Sequence, residues 1–95
     1  MNIKVVGTPV VYTNNAGGGP DELQAPAQAE AVMQLDAGVP VLAAWFAPLD
    51  NISDLPAIHH IACQPNGTTV DLIAGGEAGQ RDARVRLTVY AAVGA

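Results

Sequence analysis

The segment "ARVRLTVYAAV", residues 83–93, constrains the fold more than any other. Val85, Leu87, Val89, Ala91 and Val93 alternate with Arg84, Arg86, Thr88 and Tyr90. Successive side chains of an extended chain point to opposite faces, so a period of two over this length predicts a half-buried strand. The β-branched residues Val85, Thr88, Val89 and Val93 suit a pleated surface.

Such a strand needs partners, and the chain offers several. "NIKVVGTPVVYTN" reads as two short strands, roughly residues 2–6 and 10–13, parted by Gly7-Thr8-Pro9. Proline cannot donate to a ladder, which places this stretch at an edge. "AQAEAVMQLDAG" has the composition of a helix, with Pro26 suited to a first helical position and Gly38 to a cap. Against that, Ala31, Met33, Leu35 and Ala37 alternate with Gln34 and Asp36, and only Val32 breaks the pattern. The alternation favours a strand, and "LDAGVPVL" then reads as a hairpin turn with a left-handed glycine. "VPVLAAWFAP" is an apolar run as long as a fully buried strand. "LDNISDLP" is a polar connection with room for one helical turn.

"IHHIACQPNGTTVDL", residues 58–72, reads as another hairpin. Gln64-Pro65-Asn66-Gly67 is the expected turn, since Pro65 presets its backbone angle and Asn66-Gly67 tolerates positive φ. "GGEAGQRD" follows as a glycine-rich loop. "NNAGGGPDELQAPAQ", where Asn, Gly and Pro dominate, is expected to be a loop or a flexible arm over residues 14–28. The expected architecture is all-β: an antiparallel β-sandwich or small barrel of about seven short strands. The 95 residues form a single domain, with residues 29–95 its most compact part.

A chain this short buries only about 60–65% of the surface it exposes when unfolded. Its four aromatic residues are Tyr12, Trp45, Phe46 and Tyr90, so the core must come from Val, Leu, Ile and Ala. Such a core is thin, and chains of this kind gain stability by assembling with copies or partners. The net charge of −5 argues against nucleic acid and against an anionic membrane surface, because both need a basic face. Charged residues are 14% of the chain, below an ordinary soluble surface, which implies that part of the surface is covered by something else. The start "MNIKVVGTPVVY" has its apolar run broken by Gly7 and Pro9, so neither a secretory signal nor a bilayer span is expected. Synthesis in the cytoplasm follows from that reading.

His59, His60 and Cys63 suggest a metal or a nucleophile site. Neighbours on a strand diverge, so the histidines are poorly placed to share one ion, and no second closely spaced ligand pair completes a tetrahedron. Cys63 with His60 and one of Asp50, Asp54 or Asp71 makes a triad on paper, yet a mid-strand cysteine is more often packing. The glycine runs lack the lysine-serine ending of a phosphate loop, and the scattered acids lack calcium-loop spacing. No metal, cofactor or catalytic residue is expected.

Arg81, Arg84 and Arg86 are three of the four basic residues, gathered within six positions. Arg84 and Arg86 share a strand face with Thr88 and Tyr90. They read either as a solvated face balancing nearby acids or as a docking stripe for a carboxylate-bearing partner. Of Trp45 and Phe46, one should enter the core and the other needs cover from a loop, an arm or a second subunit. The candidate contact residues are Arg81, Arg84, Arg86, Tyr90, Tyr12 and Trp45.

The short chain, the alanine- and valine-rich strands, the scarcity of charge and the Gly/Pro-rich stretch "NNAGGGPDELQAPAQ" resemble the small all-β decoration or cement proteins of tailed-bacteriophage capsids. The resemblance covers the chain loosely and carries no motif, so it assigns no functional residue. It implies a non-enzymatic virion component that self-associates, as a trimer or other small oligomer, and stabilises a lattice of major capsid protein. The alternatives are a small ligand- or carbohydrate-binding β-sandwich module and, ranked last, a small enzyme dependent on a metal or on cysteine and histidine.

Overall fold

In the computed structural model, which describes residues 1–94, the expected C-terminal strand is the centre of the larger sheet. The strands are β1 (Asn2–Gly7), β2 (Val10–Thr13), β3 (Glu22–Ala25), β4 (Glu30–Asp36), β5 (Val41–Asp50), β6 (His60–Asn66), β7 (Thr69–Gly75) and β8 (Arg84–Val93), with a 3₁₀ helix over Ile52–Ala57. β5 runs antiparallel along one edge of β8. Along the other edge lie β1 against Val89–Val93 and β2 against Arg84–Arg86, end to end. β3 is added outside β2 in parallel. Pro9 sits where the chain passes from β1 to β2, and its carbonyl still accepts the Leu87 N–H at 2.9 Å. The Pro9–Leu87 pair thus keeps one of its two bonds, the one proline can still make, and although β1 is an edge as expected, β2 lies inside the sheet between β8 and β3.

The smaller sheet is antiparallel in the order β4-β7-β6. Its inward residues, including Val70, Leu72 and Ala74 of β7, meet Val85, Leu87, Val89 and Ala91 of β8, all fully buried. The largest fully enclosed side chains are leucines and valines, as the aromatic-poor composition requires. Alternation along β4 is clean: Ala31, Met33 and Leu35 are half-buried while Val32, Gln34 and Asp36 are exposed. The strand reading of residues 30–36 is the one observed.

Four expectations are corrected. Residues 14–28 are not a strandless arm. They carry β3, whose Leu23 and Ala25 are buried in the core, and the glycine turn before it is pinned by Gly18 and Gly19 N–H groups donating to the Glu22 carboxylate at 2.7 and 3.0 Å. "LDAGVPVL" is not a hairpin but a corner between the sheets, because β4 and β5 belong to different ones. Gly38, at φ 76°, donates to the Asp36 carboxylate at 2.8 Å to make that corner. The β6–β7 turn falls two residues later than expected: Asn66 pairs with Thr69, Gly67 takes φ 63°, and Pro65 lies within the edge strand β6, where a missing donor is tolerated. Lastly, "VPVLAAWFAP" is not buried on both faces: Phe46 points inward and Trp45 outward.

The polar connection after β5 has a definite task. Beyond Asp50 the strand leaves β8, and side chains continue the ladder in its place. The Asp50 carboxylate accepts the Arg86 N–H and the Asp54 carboxylate the Arg84 N–H, each at 3.1 Å. Asn51 Nδ2 donates to the Arg84 carbonyl at 3.2 Å. Backbone groups left by the departing strand are thus satisfied.

Candidate interaction face

Paired residues of neighbouring strands place their side chains on the same side of a sheet. The residues of β8 that alternate with its buried set therefore share an outer face with their partners in β1 and β5. One row across this face is Ile3, Ala92 and Ala43, the next is Val5, Tyr90 and Trp45. Thr88 and Ala47 begin a third. The Trp45 and Tyr90 rings stack, with centroids 5.9 Å apart and planes at 18°.

These side chains look away from the smaller sheet, and several are open to water. Ile3 is 69% exposed, Val5 55% and Trp45 39%, while Leu42 in the same strand as Trp45, and Leu49 toward its far end, are more than half exposed. Leu42 and Leu49 sit at the two irregularities where β5 loses register with β8. No ionisable carboxylate or ammonium stands in the rows of Ile3 and Val5. The one lysine, Lys4, belongs to the other face of β1, and its Nζ donates to the Ala37 carbonyl at 2.6 Å. The face is apolar in a chain that carries net charge −5. Larger exposed apolar patches commonly mark interaction sites.

Arg84 and Arg86 lie at the other end of the same face and Arg81 in the loop before β8, each already bonded within the chain. Arg84 Nη2 is 2.8 Å from Glu22 Oε2, Arg86 Nη1 donates to the Thr8 carbonyl at 2.8 Å, and Arg81 meets Asp54 at 3.1 Å and the Ser53 carbonyl at 3.2 Å. The Arg84 guanidinium, with the Gly19 and Gly18 amides, holds the Glu22 carboxyl down to about 2 from an ordinary 4.5. Arg81 and the Arg84 amide likewise depress Asp54. A carboxylate-bearing partner would have to displace these acceptors. Tyr12 pairs in register with Arg84, and the glycine turn closes over its ring: a Cβ at Gly17 would come within 2.6 Å of it. Of the six candidate contact residues, the structure brings Trp45 and Tyr90 together and sets apart from them Tyr12, under the glycine turn, and Arg84, paired with Glu22.

At one end of the smaller sheet, His59, His60, Glu30 and Glu77 surround an open cleft of about 590 Å³ floored by Gly75 and Gly76. Glu30 and His60 flank Gly75 in the strand register, and His59 Nδ1 lies 2.9 Å from Glu77 Oε1. The two histidines thus share a cleft, although neighbours on a strand are expected to part, because His59 precedes the strand and only His60 belongs to it. Among the described residues, no group of three or more His, Cys, Asp or Glu is placed to hold a metal ion. Cys63 faces the core beside Leu72, and His60 the opposite side of the sheet, so the strand separates them. Burial pushes the Cys63 thiol up to about 11.

The sequence reading missed Ile3, Val5 and Ala43 as members of the face. Their signal was present in Ile3 and Val5 alternating with Lys4, but nothing local tells which β8 face β1 shares. Comparison of the chain with known protein families, curated proteins and solved structures returns no match. No helix among the described residues is long and apolar enough to cross a membrane.

Proposed function

We propose that this chain is a non-enzymatic structural protein, a small β-sandwich that works within an assembly, and that the assembly is a virion in which it binds and stabilises the capsid lattice. The observation that supports this reading is the charge-free end of the larger sheet's outer face, the rows of Ile3 and Val5. Exposed Ile3, Val5 and Trp45 on one face are costly in water and favourable against a neighbour. The resemblance in composition to capsid decoration proteins supplies the kind of assembly. The test is co-sedimentation of the purified chain with candidate tailed-phage capsids, together with the temperature at which those capsids disrupt. The chain should pellet with its capsid and raise that temperature. A chain that stays in the supernatant with every capsid and shifts no disruption temperature would refute the virion reading.

The cleft between His59, His60, Glu30 and Glu77 favours a second reading, a small-ligand module on the same scaffold. Histidine resonances that shift on adding a sugar or amine library, and cease to shift in His60→Ala, would support it.

A further inference from the structure

The outer face has a relief as well as an area. Its central row, Val5, Tyr90 and Trp45, is a ridge of large side chains. The next row has the small side chains Ala92 and Ala43 beside Tyr90 and Trp45, with Ile3 at its β1 end; the low stretch at the two alanines is the hollow. Ridge and hollow are adjacent rows of the same strands, so the face carries both halves of a fit.

We infer that this face seats a second copy of the chain, packed face to face about a two-fold axis. This rests on reading the chain as an assembly protein and names the neighbour at that face. An axis crossing the strands between the two rows reverses strand direction and keeps each strand over its own counterpart. It sets Trp45 of one copy over Ala43 of the other, and Tyr90 over Ala92. The contact is then isologous, with the aromatic pair of each copy over the alanine pair of the other and Val5 against Ile3 at the β1 side. Stacked sheets pack about 10 Å apart with interdigitating side chains, which large-on-small rows satisfy and large-on-large rows do not.

Area and charge agree with this occupant. The exposed fractions of Ile3, Val5, Trp45 and Leu42 amount to on the order of 500 Å² per copy, so a pair buries up to about 1,000 Å², the lower bound of a specific interface. Two copies of a chain with net charge −5 repel each other over most of their surface. The rows of Ile3 and Val5 bring no carboxylate to the contact. At the far end, the Glu22 and Asp54 carboxylates are already paired with Arg84 and Arg81.

The test uses the full chain without capsids. Sedimentation velocity reads its mass across micromolar to millimolar concentration, and Trp45, the only tryptophan, reports burial of the ridge by its emission. A monomer–dimer equilibrium is expected, with emission shifting to the blue as dimer forms. Val5→Asp adds a charge and Ala43→Phe fills the hollow. Each should weaken dimerisation by about 30-fold or more, the scale of a hot-spot change. Both positions are exposed, so circular dichroism melts at low concentration should match the wild type. A wild-type monomer throughout, a trimer, or a dimer that leaves Trp45 emission unchanged and ignores both substitutions would overturn the inference. A monomer whose capsid co-sedimentation is abolished by Val5→Asp would show that the lattice occupies the face: the second copy fails and the assembly reading stands. A two-fold dimer that binds no capsid would do the opposite: the second copy stands and the virion reading fails.

Discussion

Trp45 of β5 stacks on Tyr90 of β8 across a paired row, their ring centroids 5.9 Å apart on the side of the sheet that faces away from the core. Tyr90 is half-buried by this contact, whereas Trp45 keeps more of its surface open. Aromatic cross-strand pairs contribute beyond the area they bury. In a double-mutant cycle of Trp45→Ala and Tyr90→Ala, the coupling should be about 0.5–1.5 kcal/mol, measured by urea unfolding at one fixed low chain concentration. Additive losses would mean that the rings touch without holding β5 to β8.

The core should be intolerant of shortening. Leu72 of β7 and Leu87 of β8 are fully buried in one cluster and are its largest enclosed side chains. Leu72→Ala or Leu87→Ala should each cost about 2–5 kcal/mol, a large share of the roughly 5–14 kcal/mol available to a domain of this size. Because the two share a cluster, the double variant should depart from additivity. A loss under about 1 kcal/mol at either position, read from the urea midpoint, would show that the interior is looser than its burial implies.

Much of the sheet content was legible because alternation is a local property. β8 and β4 declare themselves through side chains two apart, and Trp45-Phe46 had to split between faces wherever the strand lay. What decides the rest is remote in sequence. The corner at Gly38 and a hairpin turn use the same left-handed glycine, so "LDAGVP" does not reveal that β4 and β5 join different sheets. β3 is four residues in a Gly/Pro-rich stretch, and it is held by parallel pairing to β2, which no turn announces. In the sequence Arg84 is free for a partner, because its acceptor, Glu22, arrives only when β3 docks beside β2. The face itself is half visible there: its aromatic pair is expected to need cover, but Ile3 and Val5 join it only through the β1–β8 register.

The Glu22–Arg84 pair sets a pH window. Glu22 titrates near 2 in the fold against 4.5 ordinarily, so its charged form favours the folded state. A lowered carboxyl contributes stability that is fully present above 4.5 and is lost as pH falls from there through about 2. Unfolding free energies of wild type and Glu22→Gln, compared from about pH 7 to about pH 2, should therefore converge in that window as the wild type loses its advantage. A constant difference across the range would mean that the ion pair is not formed in solution.

Thr13 is the one buried polar side chain among the described residues, and its hydroxyl joins β2 to the segment entering β8. Its Oγ1 donates to the Arg81 carbonyl at 2.7 Å and accepts the Ala83 N–H at 2.8 Å. Thr13→Val keeps the shape and leaves both backbone groups without their partner, which should cost about 1–3 kcal/mol. Thr13→Ser keeps the hydroxyl and should recover most of that loss. Equal destabilisation by the two variants would assign the effect to the missing methyl group instead.

Cys63 should be a slow thiol. Its side chain packs against the core between the sheets, and burial raises its pKa from 9.0 to about 11. The thiolate is the reactive form, so at about pH 8 the shift alone lowers its population about 100-fold relative to an unperturbed cysteine. Alkylation by iodoacetamide should be slower by at least that factor in the native protein and should rise to the free-thiol rate in strong urea. Because the group faces inward, away from His60, His60→Ala should leave the native rate unchanged. A native thiol reacting as fast as free cysteine, or slowed further by His60→Ala, would place an activating base beside it and reopen the nucleophile reading of the hairpin.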